Sequence, residues 1–271
     1  MTIMFDAHVH MGYFPRLGKS EPYYYSPRRI FGALARAGVD EFIVSSTNVA
    51  WDVEGTAMHA EAREMKSLAG ERAHVFFWVG MRYLAHDPDL TRLPENLYEG
   101  FKLHGGESPW LHKPKLLTRI LSIAKERAYP VQIHTGTNDN GVSNTIGEYL
   151  PYCRRFPEIS IDLAHGVPTA EVAAASRELP NVYVDTAFIS HKTVNVWLDS
   201  GADERRIMFG SDLPAPQRYA KIGLSSYVRK ESQMFSSQNI ISDNAKRFLG
   251  MKITTVPYNK LEESAVLRLR Y

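Results

Sequence analysis

A chain of 271 residues, 44% hydrophobic and 23% charged, can bury a large core and excludes a disordered or low-complexity polymer. Its net charge is +2, with Lys and Arg spread along the chain, so neither nucleic acid nor a membrane surface is an expected partner. The one cysteine, Cys153, excludes an internal disulfide and a cysteine-rich zinc site, and it points to a reducing, cytoplasmic compartment.

The first predicted strand, Ile3–Val9, starts almost at once. No charged segment leading into an apolar run precedes it, so no secretory leader is expected. An irregular segment follows, Met11–Ser26. Ser26-Pro27 then supplies a cap and a first-turn proline for a helix to Ala37, whose Ile30, Phe31, Leu34 and Ala37 share a face and which Gly38 stops. Strands are predicted at Glu41–Ser45, Val75–Met81 and Gly100–Leu103. A second irregular segment, His104–Pro114, leads to a helix at Lys115–Ala128. The strands Val131–His134 and Ile159–His165 come next, then a helix over Thr169–Leu179. Val182–Thr186 is a strand, Thr193–Ser200 a helix, and Arg206–Gly210 the last strand. Nowhere does an apolar run reach the roughly 18 residues of a membrane span.

Strand alternating with helix implies βαβ units and a parallel sheet. Eight units in a chain of this length favour an α/β fold of the closed (β/α)8 TIM-barrel type over an open doubly wound sheet. The expectation is a single barrel domain over residues 1–271, with 252–271 as a C-terminal extension and the functional site at the C-terminal ends of the strands.

Those strand ends carry the chemistry. The first reads Asp6-Ala7-His8-Val9-His10, and residues i and i+2 of a strand face the same way, so the two imidazoles point together. The fourth ends in Lys102-Leu103-His104, the fifth in His134, the sixth in His165, and the eighth leads into Gly210-Ser211-Asp212. Taken singly, a strand-end histidine is more often a structural hydrogen-bonding residue, and an Asp after Gly-Ser more often a turn or cap. His59, His74, His86, His112 and His191 take that reading. A ring of such residues around one axis suits a divalent cation with nitrogen and oxygen ligands.

With these motifs, and with Val182-Tyr183-Val184-Asp185 and Asn244-Ala245-Lys246-Arg247-Phe248-Leu249-Gly250, the chain resembles the amidohydrolase superfamily. It is most similar to the amidohydrolase-related branch that includes aminocarboxymuconate-semialdehyde decarboxylase. The resemblance covers about the first 250 residues. It implies that His8, His10, His134 and Asp212 hold a divalent metal. Zinc is the expected ion, with manganese as an alternative. Asp212 also acts as the base for metal-activated water, and His165 orients water or polarises the substrate. One ion is expected; two are expected if Lys102 is carbamylated. An unmodified Lys102 would instead pair with a substrate carboxylate or with Asp212.

Substrate contacts are expected from Arg16 in the tyrosine-rich loop after the first strand, from His104 and from Trp110. The bland alternative is that these side chains pack the loops onto the barrel or onto a second copy in a homo-oligomer. The function implied is a metal-dependent hydrolase whose activated water attacks an amide, lactone or ester-like bond of a small organic substrate. Two alternatives stand beside it: non-oxidative decarboxylation of a small unsaturated or aromatic acid, and a barrel that binds a ligand without catalysis.

Overall fold

A computed structural model describes residues 3–14, 23–50, 52–105, 110–137, 143–218 and 222–252. Eight parallel strands follow one another round the sheet in chain order: β1 (Phe5–Phe14), β2 (Glu41–Ser46), β3 (Ala73–Trp78), β4 (Gly100–Leu103), β5 (Val131–His134), β6 (Ile161–Ala164), β7 (Val182–Asp185) and β8 (Ile207–Met208). Backbone hydrogen bonds join the two ends of this sheet. Ala7 N–H donates to Phe209 O at 2.8 Å, Asp212 N–H to His8 O at 2.8 Å, and His10 N–H to Leu213 O at 2.7 Å. The sheet thus closes on itself as a barrel, the geometry in which eight strand ends ring one axis.

Helices connect the strands: α1 (Pro27–Ala37), α2 (Thr56–Ala69), α3 (Met81–His86), α4 (Pro114–Glu126), α5 (Ile146–Arg155), α6 (Thr169–Glu178), α7 (His191–Asp199) and α8 (Leu224–Ser232), with α9 (Asn244–Phe248) after them. No helix of the described residues is long and apolar enough to cross a membrane.

Alternation along the strands divides the core in two. Phe42 and Val44 of β2, Val75 and Phe77 of β3, and Phe101 and Leu103 of β4 point outward and bury under the helices. The opposite parity, with Ile43, Phe76, Tyr183 and Met208, joins Phe5 and Ala7 in a smaller cluster that Ala245 and Phe248 of α9 complete. Phe248 packs on Phe76 and Tyr183, with ring centroids 6.1 and 5.4 Å apart, and closes the N-terminal end of the barrel. Each such buried apolar side chain contributes roughly 1.5–3 kcal/mol. Towards the other end the inner face turns polar, with Lys102, Gln132, Asp162 and Asp185 all buried.

Several elements depart from the sequence reading. β1 runs on to Phe14, because Gly12–Phe14 pairs antiparallel with a short strand at Tyr23–Tyr25, so the loop after β1 begins as a hairpin. β3 is Ala73–Trp78 rather than Val75–Met81: Ala73 and His74 pair with β2, and Gly80 ends the run where α3 starts. β8 is confined to Ile207–Met208. The register of β1 against β2 also shifts between Asp6 and Val9, a bulge at the point where the site begins.

Candidate metal centre

His8 and His10 leave β1 on the same side, as the i, i+2 spacing requires, with their Nε2 atoms 3.0 Å apart. The loop after β8 brings Asp212 to them, its Oδ1 3.1 Å from His10 Nε2 and 3.6 Å from His8 Nε2. The ligand atoms of His8, His10 and Asp212 lie within 4.8 Å of one another, and all three residues are buried. A second group within the same distance joins His8, His165 and Asp185.

Partners on the far side of each ring settle which nitrogen faces the centre. His8 Nδ1 lies 2.7 Å from Asp185 Oδ2, and His10 Nδ1 lies 2.8 Å from Ser45 Oγ. His165 Nδ1 donates to the Ala187 carbonyl at 3.1 Å, and its Nε2 lies 3.0 Å from His134 Nδ1. His134 Nε2 is buried and without a hydrogen-bond partner among the described residues. His134 belongs to neither compact group. Its ring stacks on His104 at 3.9 Å, and His104 in turn on Trp78 at 5.3 Å.

Protonation follows burial and charge. Burial, then the charge of Lys102, pushes His8 down to about 4. Burial likewise lowers His10, His104 and His134. For Asp212, burial opposes the charge, but the surrounding imidazoles of His8, His10 and His165 outweigh it and hold the carboxyl well below its usual range. Neutral imidazoles beside an ionised carboxylate are the protonation states that a divalent cation requires. Two imidazole nitrogens and a carboxylate oxygen on one point, with an orphaned imidazole nitrogen nearby, is a donor set that fits zinc or a similar ion.

Lys102, at the end of β4, is fully buried, and its Nζ lies 2.9 Å from His8 Nε2. Burial brings it down to about 8, against the pull of Asp212, Asp185 and Asp162. Trp110 has no exposed surface and packs within the core, its indole N–H unpartnered among the described residues. Arg16 lies outside the described residues. Histidines read as structural have ordinary partners: His59 with Tyr98 at 2.7 Å, His74 with Glu99 at 2.6 Å, and His191 against the Phe235 ring.

Two residues of the site drew no role from sequence. Asp185 enters the sequence analysis as the end of the Val182-Tyr183-Val184-Asp185 motif and Gly210 as the start of Gly210-Ser211-Asp212, neither with a role of its own. A third feature is conformational. His165 and Asp212 hold φ of 71° and 52°, in the left-handed region that non-glycine residues seldom adopt. No local sequence pattern signals that backbone.

The family model for amidohydrolases matches residues 5–251, and the chain belongs to that family. That family makes it an enzyme of the metal-dependent amidohydrolase class. Solved structures share its fold at low identity. One is a probable 2-pyrone-4,6-dicarboxylic acid hydrolase from Acinetobacter baumannii with citric acid bound: 13% identity, 93% of this chain and 100% of that one covered, TM-score 0.62. Another is an amidohydrolase from Burkholderia multivorans with bound zinc, at 15% identity, 92% and 100% coverage and TM-score 0.64. A third is 5-carboxyvanillate decarboxylase from Novosphingobium aromaticivorans, complexed with manganese and 4-hydroxy-3-methoxy-5-nitrobenzoic acid, at 14% identity, 82% and 80% coverage and TM-score 0.57. No curated protein matches the chain in a sequence search.

Proposed function

We propose that the chain is a hydrolase of a small organic substrate with an amide, lactone or ester-like bond, built on one divalent ion held by His8, His10, His134 and Asp212. The observation that carries this reading is the convergence of His8 Nε2, His10 Nε2 and Asp212 Oδ1 with the carboxylate ionised. Zinc is the favoured ion, in keeping with the nitrogen-rich donor set and with the zinc of the Burkholderia relative. When bound, the ion lowers the pKa of water from about 15.7 toward roughly 7 and polarises a carbonyl.

The side chains do the rest. Asp212 takes the proton of the attacking water on a carboxylate oxygen and delivers it to the leaving group. His165, fixed through Nδ1 to Ala187 O, offers a ring edge beside the reacting carbonyl. The buried Lys102 ammonium supplies the charge that holds an acid group of the substrate, with His104 on the adjoining wall. Acidic ligands of two relatives, citric acid and a nitrobenzoic acid, support a small acidic molecule. Arg16 remains a proposed substrate contact through its loop, whereas Trp110, with no exposed surface, packs its segment onto the barrel instead.

A second reading, non-oxidative decarboxylation of an unsaturated or aromatic acid, is favoured by the manganese-bound decarboxylase among the relatives. One assay separates them. Zinc- and manganese-loaded protein is offered lactones, esters, amides and aromatic acids, and both hydrolysis and carbon dioxide are measured. Hydrolysis without carbon dioxide is expected; the reverse selects decarboxylation. His8→Ala and Asp212→Ala should each lose more than about 1,000-fold in turnover, on the order of 4 kcal/mol. Wild-type activity in either variant would remove the mechanism. Failure of the native protein to take up any ion would leave only a ligand-binding barrel.

A further inference from the structure

We infer that Asp185 is a positioning residue: it fixes His8 in the tautomer that carries its proton on Nδ1 and so turns the Nε2 lone pair toward the cation. The inference rests on the reading of His8 as a ligand.

Asp185 closes β7 with no exposed surface. Its two oxygens have different tasks. Oδ2 lies 2.7 Å from His8 Nδ1. Oδ1 accepts the backbone N–H groups of His165 at 3.1 Å and of Ala187 at 3.0 Å. With Oδ1 carrying two donors, the carboxylate cannot rotate without abandoning both. Oδ2 is therefore held at the His8 ring by the chain itself.

An ionised carboxylate has lone pairs only, so it accepts, and the His8 nitrogen that meets it must donate. On the opposite side of the ring the Lys102 contact agrees, while Asp212 Oδ1, at 3.6 Å, lies beyond hydrogen-bond reach of Nε2. His8 Nε2 faces the Lys102 ammonium at 2.9 Å, a group that only donates and thus needs a lone pair there. Two independent contacts, one on each nitrogen, assign the same tautomer. The carboxylate–histidine–cation arrangement is the usual way a protein fixes ring orientation and raises ligand basicity. Because Oδ1 is bound to the His165 backbone, the same residue also ties a β1 ligand to the end of β6.

Asp185 is also a member of the second compact group with His8 and His165. Its oxygens there are already engaged by N–H donors, which makes it a support for the ring rather than an open ligand.

Asp185→Asn separates these roles. The amide oxygen can still accept from His165 and Ala187, but the NH2 group would donate to His8 Nδ1 and force the proton to Nε2. Nitrogen-15 NMR of histidine-labelled, metal-free protein reads the tautomer directly, with His8 assigned by its loss in His8→Gln. Wild type should show the proton on Nδ1. In Asp185→Asn the proton should move to Nε2, and zinc affinity should fall about 10–100-fold, with the melting temperature and circular dichroism close to wild type. A wild-type His8 protonated on Nε2 overturns the inference, whether or not the variant folds. So does a variant that binds zinc as tightly as wild type. Wild-type protein that binds no zinc while keeping the Nδ1 proton would instead defeat the metal assignment and leave the tautomer assignment standing.

Discussion

A methyl group on residue 210 would come within 2.9 Å of His8 Cβ and 3.2 Å of Asp185 Cβ. No side chain fits there, so Gly210 is the gap into which a ligand and its supporting carboxylate close. Gly210→Ala should keep the helical content of the protein and lower zinc affinity about tenfold or more, measured by titration against a chromogenic chelator. Unchanged affinity would mean that the β8 end yields instead. The strained backbone of His165 and Asp212, roughly 1–3 kcal/mol each, is held by similar means: His165 N–H is bound to Asp185 Oδ1 and Asp212 N–H to the His8 carbonyl. At this scale the sequence was half legible. His8, His10 and Asp212 announced themselves by type and by their position at strand ends. Asp185 and Gly210 did not, because their roles exist only as distances between β1, β7 and β8.

Between elements, His74 shows how a strand is tied to its neighbours at the end of the barrel away from the metal centre. Burial opposes its charge, but Glu99 at 2.6 Å and Glu41 at 3.7 Å outweigh that and raise it above the usual 6.5. The two carboxylates are lowered in turn, Glu41 chiefly by His74, and Glu99 by His74 and Lys66 against its burial. A raised histidine stabilises below pH 6.5 and loses its contribution as pH climbs through the raised folded value. The lowered carboxylates contribute above 4.5, their usual value, and lose that contribution as pH falls through the depressed ones. The cluster therefore supports the fold most between those limits. The melting temperature should fall by on the order of 2 °C between about pH 6 and about pH 9 through this group alone. His74→Gln should flatten that part of the profile; an unaltered profile would show that the cluster does not carry it.

Helices differed in how readily they could be read. α1 matched to the residue because its cap, first-turn proline and terminal glycine are all local signals. α2 has no side-chain cap, following Gly55 directly, and buries small or soft residues such as Ala62 and Met65, a weak pattern. α5 contains Pro151, which reads as a breaker, yet a capping box at Thr145 and Glu148 starts the helix and the proline is tolerated in it. The hairpin on β1 stayed hidden because its partner strand is three residues long and comes after a long loop.

At the scale of the molecule, the order of strands was legible because each inner strand is a short apolar run between helical patterns. Closure was legible only indirectly, through the need to gather five strand ends round one point. Among the described residues the ring is completed where β1 meets the segment after β8, by three backbone hydrogen bonds from Ala7, His10 and Asp212. Two of those three residues are also metal-ligand candidates. A cation gripping His8, His10 and Asp212 would thus fasten the first and last staves of the barrel to each other, like a clasp on a bracelet. Ion binding should slow deuterium uptake at the amides of His10 and Asp212 well beyond any change along α4, and chelation should release them first.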